Sequence, residues 1–279
     1  MSDDRAGFQT VLNNSCEHGG GYKTHITQNW KQGRTCYGGL TLALAYDAAL
    51  KTINPLPPLR SIQINFVGPV THNPIFTAQI LRQGRNVTSA HVTGVVEEIA
   101  GEPKHVASAN FIFGTARISD LSVKLRAPSA PSPQACDPFT SPTSASLVPQ
   151  FFHNFDTRLI AGKPPMSGAL EGYIRTWSRH KDPASREGLA SLLCISDVLP
   201  PAAMPMFKKM GPISSMNFTL NILADTPKTQ DGWWHIETHL SAAQDGYSSQ
   251  TMRIWNTNGQ LVAEGMQCVA IFMLVKIDV

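Results

Sequence analysis

The chain has 279 residues, of which 42% are hydrophobic and 15% are charged, so it can bury the core of one large domain or of two units of about 100 to 150 residues. Its formal net charge of +3 is spread along the sequence without a basic run or a nucleic-acid-binding motif, which argues against nucleic acid as a partner. A mildly basic protein is still suited to an anionic small ligand, because clefts concentrate weak fields.

The five cysteines and the terminal residues bear on the cellular compartment. The cysteines are widely and irregularly spaced and include no C-x-x-C pair, which argues against a disulfide framework and a structural zinc site. No apolar h-region follows the acidic residues 1–5, the apolar runs are shorter than a membrane span, and residues 276–279 do not match the peroxisomal S-K-L address. We therefore expect a cytoplasmic protein with reduced thiols and no membrane partner.

The first half of the chain predicts one helix followed by antiparallel strands. Gly38-Gly39 opens an apolar segment at residues 40–50 that is rich in strong helix formers, and Asn54-Pro55 closes it. Residues 61–67 then alternate strictly between apolar and polar side chains, which is typical of a half-buried strand. Three further β-rich segments follow at residues 75–83, 86–99 and 104–113, with tight turns at Gly84-Arg85 and Gly101-Glu102.

A shift in composition separates the two halves. Residues 126–146 are rich in proline and serine, as interdomain linkers often are. We therefore predict an N-terminal unit at residues 1–125, a linker at 126–146 and a C-terminal unit at 147–279.

The second half repeats the same plan. Asp182 is suited to cap a helix that has Pro183 at its first position. An apolar face follows and ends at a proline stop, as marked by Leu189, Leu192, Leu193 and Pro200-Pro201. Four strands are predicted behind this helix, at residues 215–223, 233–243, 247–255 and 260–274, with hairpin turns at Asp245-Gly246 and Asn258-Gly259.

Matching positions in the two halves indicate an internal duplication. A Val-Ala pair follows the last turn of each half, at Val106-Ala107 and at Val262-Ala263. One helix-and-meander unit leaves an exposed sheet edge, and edge-to-edge pairing of two units removes it. The sequence therefore predicts an α+β fold in which two helix-plus-antiparallel-meander repeats join into one continuous sheet.

Several common catalytic signatures are missing from the sequence. There is no G-x-S-x-G elbow, no Walker loop and no glycine fingerprint between a strand and a helix. His235 and His239 lie four residues apart on a predicted strand and lack the H-E-x-x-H helix of a zinc protease. We expect surface or packing roles for these two histidines and predict no metal site.

Three motifs of the second half carry a family resemblance. They are Ile195-Ser196-Asp197 late in the helix, Ser215-Met216-Asn217-Phe218-Thr219-Leu220 at the start of the next strand, and Leu261-Val262-Ala263-Glu264-Gly265-Met266-Gln267 in the last strand. Together with the duplicated plan, which covers nearly the whole chain, they resemble the acyl-CoA thioesterase II family of double hot-dog proteins. The resemblance implies hydrolysis of acyl-CoA to free acid and CoA, no cofactor beyond the CoA of the substrate, and a homodimer or higher homo-oligomer.

The same resemblance carries three catalytic roles to this sequence. It implies that Asp197, Ser215 and Gln267 hold the hydrolytic water. A carboxylate can accept a proton from water, while a hydroxyl and an amide orient that water toward a thioester carbonyl. Ser214 is the alternative to Ser215, because a shift of one residue exchanges the two faces of a strand. Asp197 also suits a backbone donor at a helix end, and Gln267 also suits a polar position in the sheet.

The candidate substrate-binding residues each have two explanations. Gly38 and Gly39 offer free backbone N–H groups to an oxyanion at a helix N-terminus, or they serve only close packing. Arg82 and Arg85 offer guanidinium groups to the phosphates of CoA, although exposed hairpin arginines are usually only solvated. Four phenylalanines suit either an acyl tunnel or the core, namely Phe66, Phe76, Phe111 and Phe113.

Two other functions fit the same fold. A hot-dog hydratase or dehydratase needs a His–Asp pair, which His72 or His91 would complete if folding brought it to Asp197. A noncatalytic acyl-CoA binder would retain the fold and bind without turnover. The acyl chain preference is not encoded in any local pattern, because the depth of a tunnel depends on side chains that folding brings together.

Overall fold

The computed structural model describes residues 4–98, 101–140, 148–209 and 211–272. Several predictions fall partly outside these residues, namely the strand ends at Ile99 and Leu274, the linker residues 141–146 and both termini. None of the helices in the described ranges is long and apolar enough to cross a membrane.

The described residues form three α-helices and fourteen strands. The helices are α1 (Phe8–Asn13), α2 (Gly38–Thr52) and α3 (Leu189–Ser196). The strands are β1 (Cys16–His18), β2 (Gly21–Lys23), β3 (Lys31–Gln32), β4 (Thr35–Cys36), β5 (Leu59–Phe66), β6 (Pro74–Gln83), β7 (Val87–Val96), β8 (Lys104–Gly114), β9 (Phe155–Gly162), β10 (Tyr173–His180), β11 (Ile213–Ile222), β12 (Trp234–Gln244), β13 (Tyr247–Trp255) and β14 (Leu261–Ile271).

Twelve of these strands form one antiparallel sheet in the order β1-β2-β6-β7-β8-β5-β11-β14-β13-β12-β10-β9, and β3 pairs with β4 in a separate ribbon. The two halves meet at β5 and β11, where Ile62 pairs with Leu220 and Ile64 pairs with Phe218. All four side chains are buried. This junction satisfies the backbone groups that each half would otherwise leave unpaired at its edge, and it confirms the predicted continuous sheet.

The helix of the first half, α2, is buried on nearly all sides because its sequence is built from alanine, leucine and other small or apolar residues. Its polar residues Asp47 and Lys51 form an ion pair of 2.7 Å. The helix packs against α3 of the second half and against β6, β7 and β8. At the start of α2, the Tyr37 hydroxyl donates to the Cys194 carbonyl at 2.7 Å, which ties the N-terminus of α2 to the C-terminal turn of α3.

The helix of the second half starts later than predicted. Asp182 is an N-cap, and its carboxylate accepts a hydrogen bond from the Ala184 N–H, but it caps the short 3-10 helix Pro183–Ser185. Gly188 then has a φ of 88°, a left-handed conformation that ordinary helical residues do not adopt. Helix α3 therefore begins only at Leu189.

Sequence reasoning missed the outer strands of the sheet. Strands β9 and β10 extend the second half beyond β12, and β1 and β2 extend the first half beyond β6. Charged residues such as Asp156 and Arg158 interrupt the apolar pattern of β9, so it shows no clear alternation. The described part of the predicted linker packs along this side of the molecule, where the Trp177 indole donates to the Pro131 carbonyl and Phe139 is buried.

Candidate active site

Asp197 lies directly after the last residue of α3. Its backbone has left the helical conformation, with φ −99° and ψ 15°, and Pro200-Pro201 follow soon after. The side chain is partly exposed in a largely buried segment. Burial raises the pKa of Asp197 to about 7, against the opposing effects of hydrogen bonds from the Gln267 amide and the Gly39 backbone N–H. Asp197 can therefore exchange a proton near neutral pH.

Gln267 connects the other two predicted catalytic side chains. It is buried on the inner face of β14, where it pairs in register with Phe218. Its Nε2 donates to Asp197 Oδ1 at 3.1 Å and to Ser215 Oγ at 2.9 Å. The two hydrogens of this amide are thus used within the protein, and the carboxylate and the hydroxyl are held on either side of one nitrogen.

Ser215 reaches this cluster because β11 contains a bulge. In the pairing with β14, Ser215 is opposite Val269 and Asn217 is opposite Cys268, so Met216 is an extra residue on β11. A bulge shifts the alternation of side chains by one position, and this shift places Ser215 on the same face as the buried Phe218. The neighbouring Ser214 is exposed.

A further glutamine, which sequence reasoning missed, supports Gln267 from the next strand. Gln250 on β13 is fully buried, pairs in register with Gln267, and donates from Nε2 to Gln267 Oε1 at 2.9 Å. Its own Oε1 accepts a hydrogen bond of 2.6 Å from the Ala202 backbone N–H. The alternation of β13 could have indicated it, because Gln250 lies on the same face as the buried Met252 and Ile254.

Gly38 and Gly39 lie beside the Asp197 carboxylate. The Gly39 backbone N–H lowers the pKa of this carboxyl, and a β-carbon at Gly39 would collide with the Cys194 carbonyl of α3. A β-carbon at Gly38 would lie 2.5 Å from Asp197 Oδ2 and 3.2 Å from the ring of Phe66. The two glycines therefore permit the close approach of α2 to α3, and Phe66 of the first half borders the cluster.

The arginines predicted to bind phosphate are far from this cluster. Arg82 near the end of β6 and Arg85 in the turn before β7 are both exposed. Across the register of the sheet, Arg82 is level with Asn221, at the opposite end of β11 from Ser215. The structure of one chain therefore does not bring the predicted phosphate-binding arginines to Asp197.

The histidines considered in the sequence analysis have other partners. His72 is exposed and its ring donates to the Glu97 carbonyl at 2.6 Å, whereas the His91 ring donates to Asn110 Oδ1 at 2.9 Å. His235 is buried between the rings of two tryptophans, and His239 lies against the ring of Tyr173. Of the four phenylalanines, Phe76, Phe111 and Phe113 are fully buried in the core.

Two helices wrapped by one continuous sheet, with a buried cluster of an acid, a hydroxyl and two amides, define a double hot-dog protein with a polar site in its second half. Residues 26–114 match the model of the acyl-CoA thioesterase N-terminal domain, and residues 133–271 match that of the acyl-CoA thioesterase C-terminal domain. Together these matches span most of the chain. The protein belongs to the acyl-CoA thioesterase family.

Solved structures show the same fold. A hot-dog protein of unknown function from Alicyclobacillus acidocaldarius is 21% identical with a TM-score of 0.82, and the match covers 96% of this chain and 98% of the other. An acyl-CoA thioesterase II from Mycobacterium marinum is 18% identical with a TM-score of 0.71, over 95% and 97% of the two chains. A dehydratase domain from Pseudomonas fluorescens is 10% identical with a TM-score of 0.56, over 95% and 99%. No curated protein gives a significant match.

Proposed function

We propose that the protein hydrolyses acyl-CoA thioesters to a free acid and CoA by direct attack of water, with Asp197 as the general base. The observation that supports this proposal best is the meeting of Asp197, Ser215 and Gln267 at one nitrogen atom, from three elements that are distant in sequence. Membership of the acyl-CoA thioesterase family supports the substrate class. The fold alone does not, because a dehydratase domain shares it.

The reaction needs one group that accepts a proton and later returns it. Asp197 takes a proton from the water, whose oxygen attacks the thioester carbonyl carbon to give a tetrahedral intermediate. The C–S bond then breaks, and the departing CoA sulfur receives the proton from Asp197. A pKa of about 7 suits both steps, because the group must accept and donate protons at a similar pH.

Ser215 and Gln267 have different tasks in this proposal. Since the Gln267 amide uses its hydrogens on Asp197 and Ser215, it orients these two groups. The Ser215 oxygen accepts from the amide, so its own O–H is left to donate to the water. The water is then held between a hydroxyl that donates and a carboxylate that accepts.

The thioester oxygen gains negative charge during the attack and needs a hydrogen-bond donor. We assign this role to the N–H of Gly38, because the N–H of Gly39 already stabilises the ionised form of Asp197. Gly38 is the first residue of α2, and first-turn N–H groups have no partner within their helix. The positive end of the helix dipole also favours an anion there.

The direct test measures free thiol released from short-, medium- and long-chain acyl-CoAs by the purified protein. We expect release from at least one of them, and loss of release in Asp197→Asn. The wild-type protein would contradict the proposal if it released no thiol from any substrate. Thermal stabilisation by acyl-CoA without thiol release would instead indicate the noncatalytic binder.

A further inference from the structure

A chain of hydrogen bonds runs through the proposed catalytic cluster, and the backbone closes it into a ring. From the Ala202 N–H, the bonds pass through the side chains of Gln250 and Gln267 and end at Asp197. The backbone between Asp197 and Ala202 closes the ring, and this short segment contains Pro200-Pro201. Both glutamine side chains are buried, so no bulk solvent competes for these bonds.

The donor at one end of this ring fixes the direction of every bond in it. A backbone N–H can only donate, so the end of Gln250 that faces Ala202 must be its oxygen. The NH₂ of Gln250 then faces Gln267, and the end of Gln267 that it meets must also be the oxygen. Consequently the NH₂ of Gln267 is turned toward Asp197 and Ser215.

The reversed amide would be unfavourable for the proposed chemistry. With its oxygen toward Asp197, Gln267 would place one acceptor against another and would leave the Ser215 oxygen without its donor. A buried amide can turn about its last torsion angle unless a neighbour distinguishes its two ends. Among the described residues, Gln250 is the side chain that contacts the oxygen of Gln267.

We propose that Gln250 is a positioning residue. Its hydrogen bonds with the Ala202 N–H and with Gln267 fix the orientation of the Gln267 amide, so that the NH₂ of Gln267 faces Asp197 and Ser215. This inference rests on the proposed hydrolytic function of the same cluster. It predicts that the polarity of residue 250 controls turnover even when its shape is unchanged.

Gln250→Glu provides a test in which shape stays constant and polarity depends on pH. The introduced carboxyl, when protonated, can accept from Ala202 and donate to Gln267, as glutamine does, whereas its ionised form can only accept. Burial raises the pKa of such a carboxyl, so that it ionises at a higher pH than a free glutamic acid does. We expect the ratio of kcat in Gln250→Glu to kcat in the wild type to fall at least about fivefold from pH 6 to pH 8.5.

Two further variants make this test specific. Gln63→Glu makes the same change on the exposed face of β5, and its kcat ratio should stay constant over this pH range. Gln250→Met keeps the volume but removes the polarity at every pH, and it should lower kcat about 10- to 100-fold with KM within about threefold of wild type. Circular dichroism and the melting temperature establish that each variant is folded.

The results separate the positioning role from the proposed function. A wild-type kcat in folded Gln250→Met would overturn the inference. A pH-independent kcat ratio in folded Gln250→Glu would also overturn it, provided that the pH dependence of the variant's unfolding free energy shows that the introduced carboxyl ionises between pH 6 and pH 8.5. Either result, combined with an inactive Asp197→Asn, would reject the positioning role and leave the hydrolytic function intact. A wild-type protein without thiol release would reject both.

Discussion

The two halves of the molecule use the same framework positions for opposite purposes. Counted from the matching Val-Ala pairs, Gln267 in β14 corresponds to Phe111 in β8. Phe111 pairs with Ala90 on the neighbouring strand, as Gln267 pairs with Gln250. An apolar pair in the first half thus takes the place of a hydrogen-bonded amide pair in the second.

The helices differ in the same sense. In the first half, α2 runs for 15 residues and its Tyr46 packs with the rings of Phe111 and Phe113. In the second half, α3 runs for 8 residues and stops where Asp197 meets Gln267. One copy therefore fills the space between helix and sheet with aromatic rings, whereas the other ends its helix early and places polar groups there. The comparison shows that a duplicated frame can carry an apolar packing cluster in one copy and a buried polar cluster in the other.

The largest expected effect is the loss of the acid in the second half. Asp197→Asn keeps an acceptor for Gly39 and Gln267 but cannot take a proton, so kcat should fall about 100- to 10,000-fold. Asp47→Asn in α2 of the first half serves as the matched control and should change kcat less than about twofold. Thiol release under saturating acyl-CoA measures both, and equal losses in the two variants would contradict the division between the halves.

Substitutions at the corresponding positions Gln267 and Phe111 should have separate effects, one on activity and the other on stability. Gln267→Met removes the amide at similar volume and should lower kcat about 10- to 100-fold. Phe111→Ala creates a cavity and should cost about 3 to 5 kcal/mol of unfolding free energy, while kcat per folded molecule stays near wild type. Urea unfolding and kcat measured on the same preparations test this pair. Loss of activity in folded Phe111→Ala would show that the aromatic packing of the first half also contributes to turnover.

The pH dependence of activity and of stability should come from Asp197 in the second half. With a pKa of about 7 for Asp197, kcat/KM of the wild type should rise about tenfold between pH 6 and pH 8 and then level off. Because the pKa of Asp197 is higher in the folded protein than in the unfolded chain, its contribution to the free energy of unfolding falls as the pH rises from about 4 through about 7.

Asp197→Asn does not ionise, so it should gain stability relative to wild type as the pH rises. The difference in unfolding free energy between Asp197→Asn and wild type should reach about 2 kcal/mol at pH 8. This is less than the free energy that corresponds to the full pKa shift, because the side chain is partly exposed. Chemical unfolding at pH 5 and pH 8 measures it. A difference that is the same at both pH values would contradict the raised pKa.

The smallest expected effect concerns the two adjacent serines. Ser215→Ala removes the hydrogen bond from Gln267 and the proposed bond to the water, and it should lower kcat about 2- to 10-fold. Ser214→Ala changes an exposed side chain and should leave kcat unchanged. The reverse order of effects would show that the bulge at Met216 does not set the orientation of β11 in solution.

The central strands and the helix of the first half could be predicted from the sequence because their patterns are local. Strand β13 begins at Tyr247 and ends at Trp255, as predicted, since the Asp245-Gly246 turn and a regular alternation define it. The start of α3 at Leu189 could not be predicted, because no local sequence pattern shows that Gly188 has a left-handed backbone conformation.

The candidate site was predictable only as separate motifs. The family resemblance singled out Asp197, Ser215 and Gln267, but their meeting depends on a bulge in β11 and on pairing between strands distant in sequence. Gln250 matches no motif, because its importance comes from the backbone N–H of Ala202 on a loop 48 residues earlier. Arg82 and Arg85 have the right chemistry for phosphate, and their contact with CoA stays a prediction, since Arg82 is level with the end of β11 opposite Ser215.

The most direct test of water attack follows the oxygen of that water. Acyl-CoA is hydrolysed in ¹⁸O-labelled water during a single turnover with enzyme in excess, and the free acid and the peptide containing Asp197 are analysed by mass spectrometry. Direct attack predicts one ¹⁸O atom in the acid and none in Asp197. Unlabelled acid with ¹⁸O in Asp197 would show a covalent intermediate on that carboxylate and would contradict its role as a base.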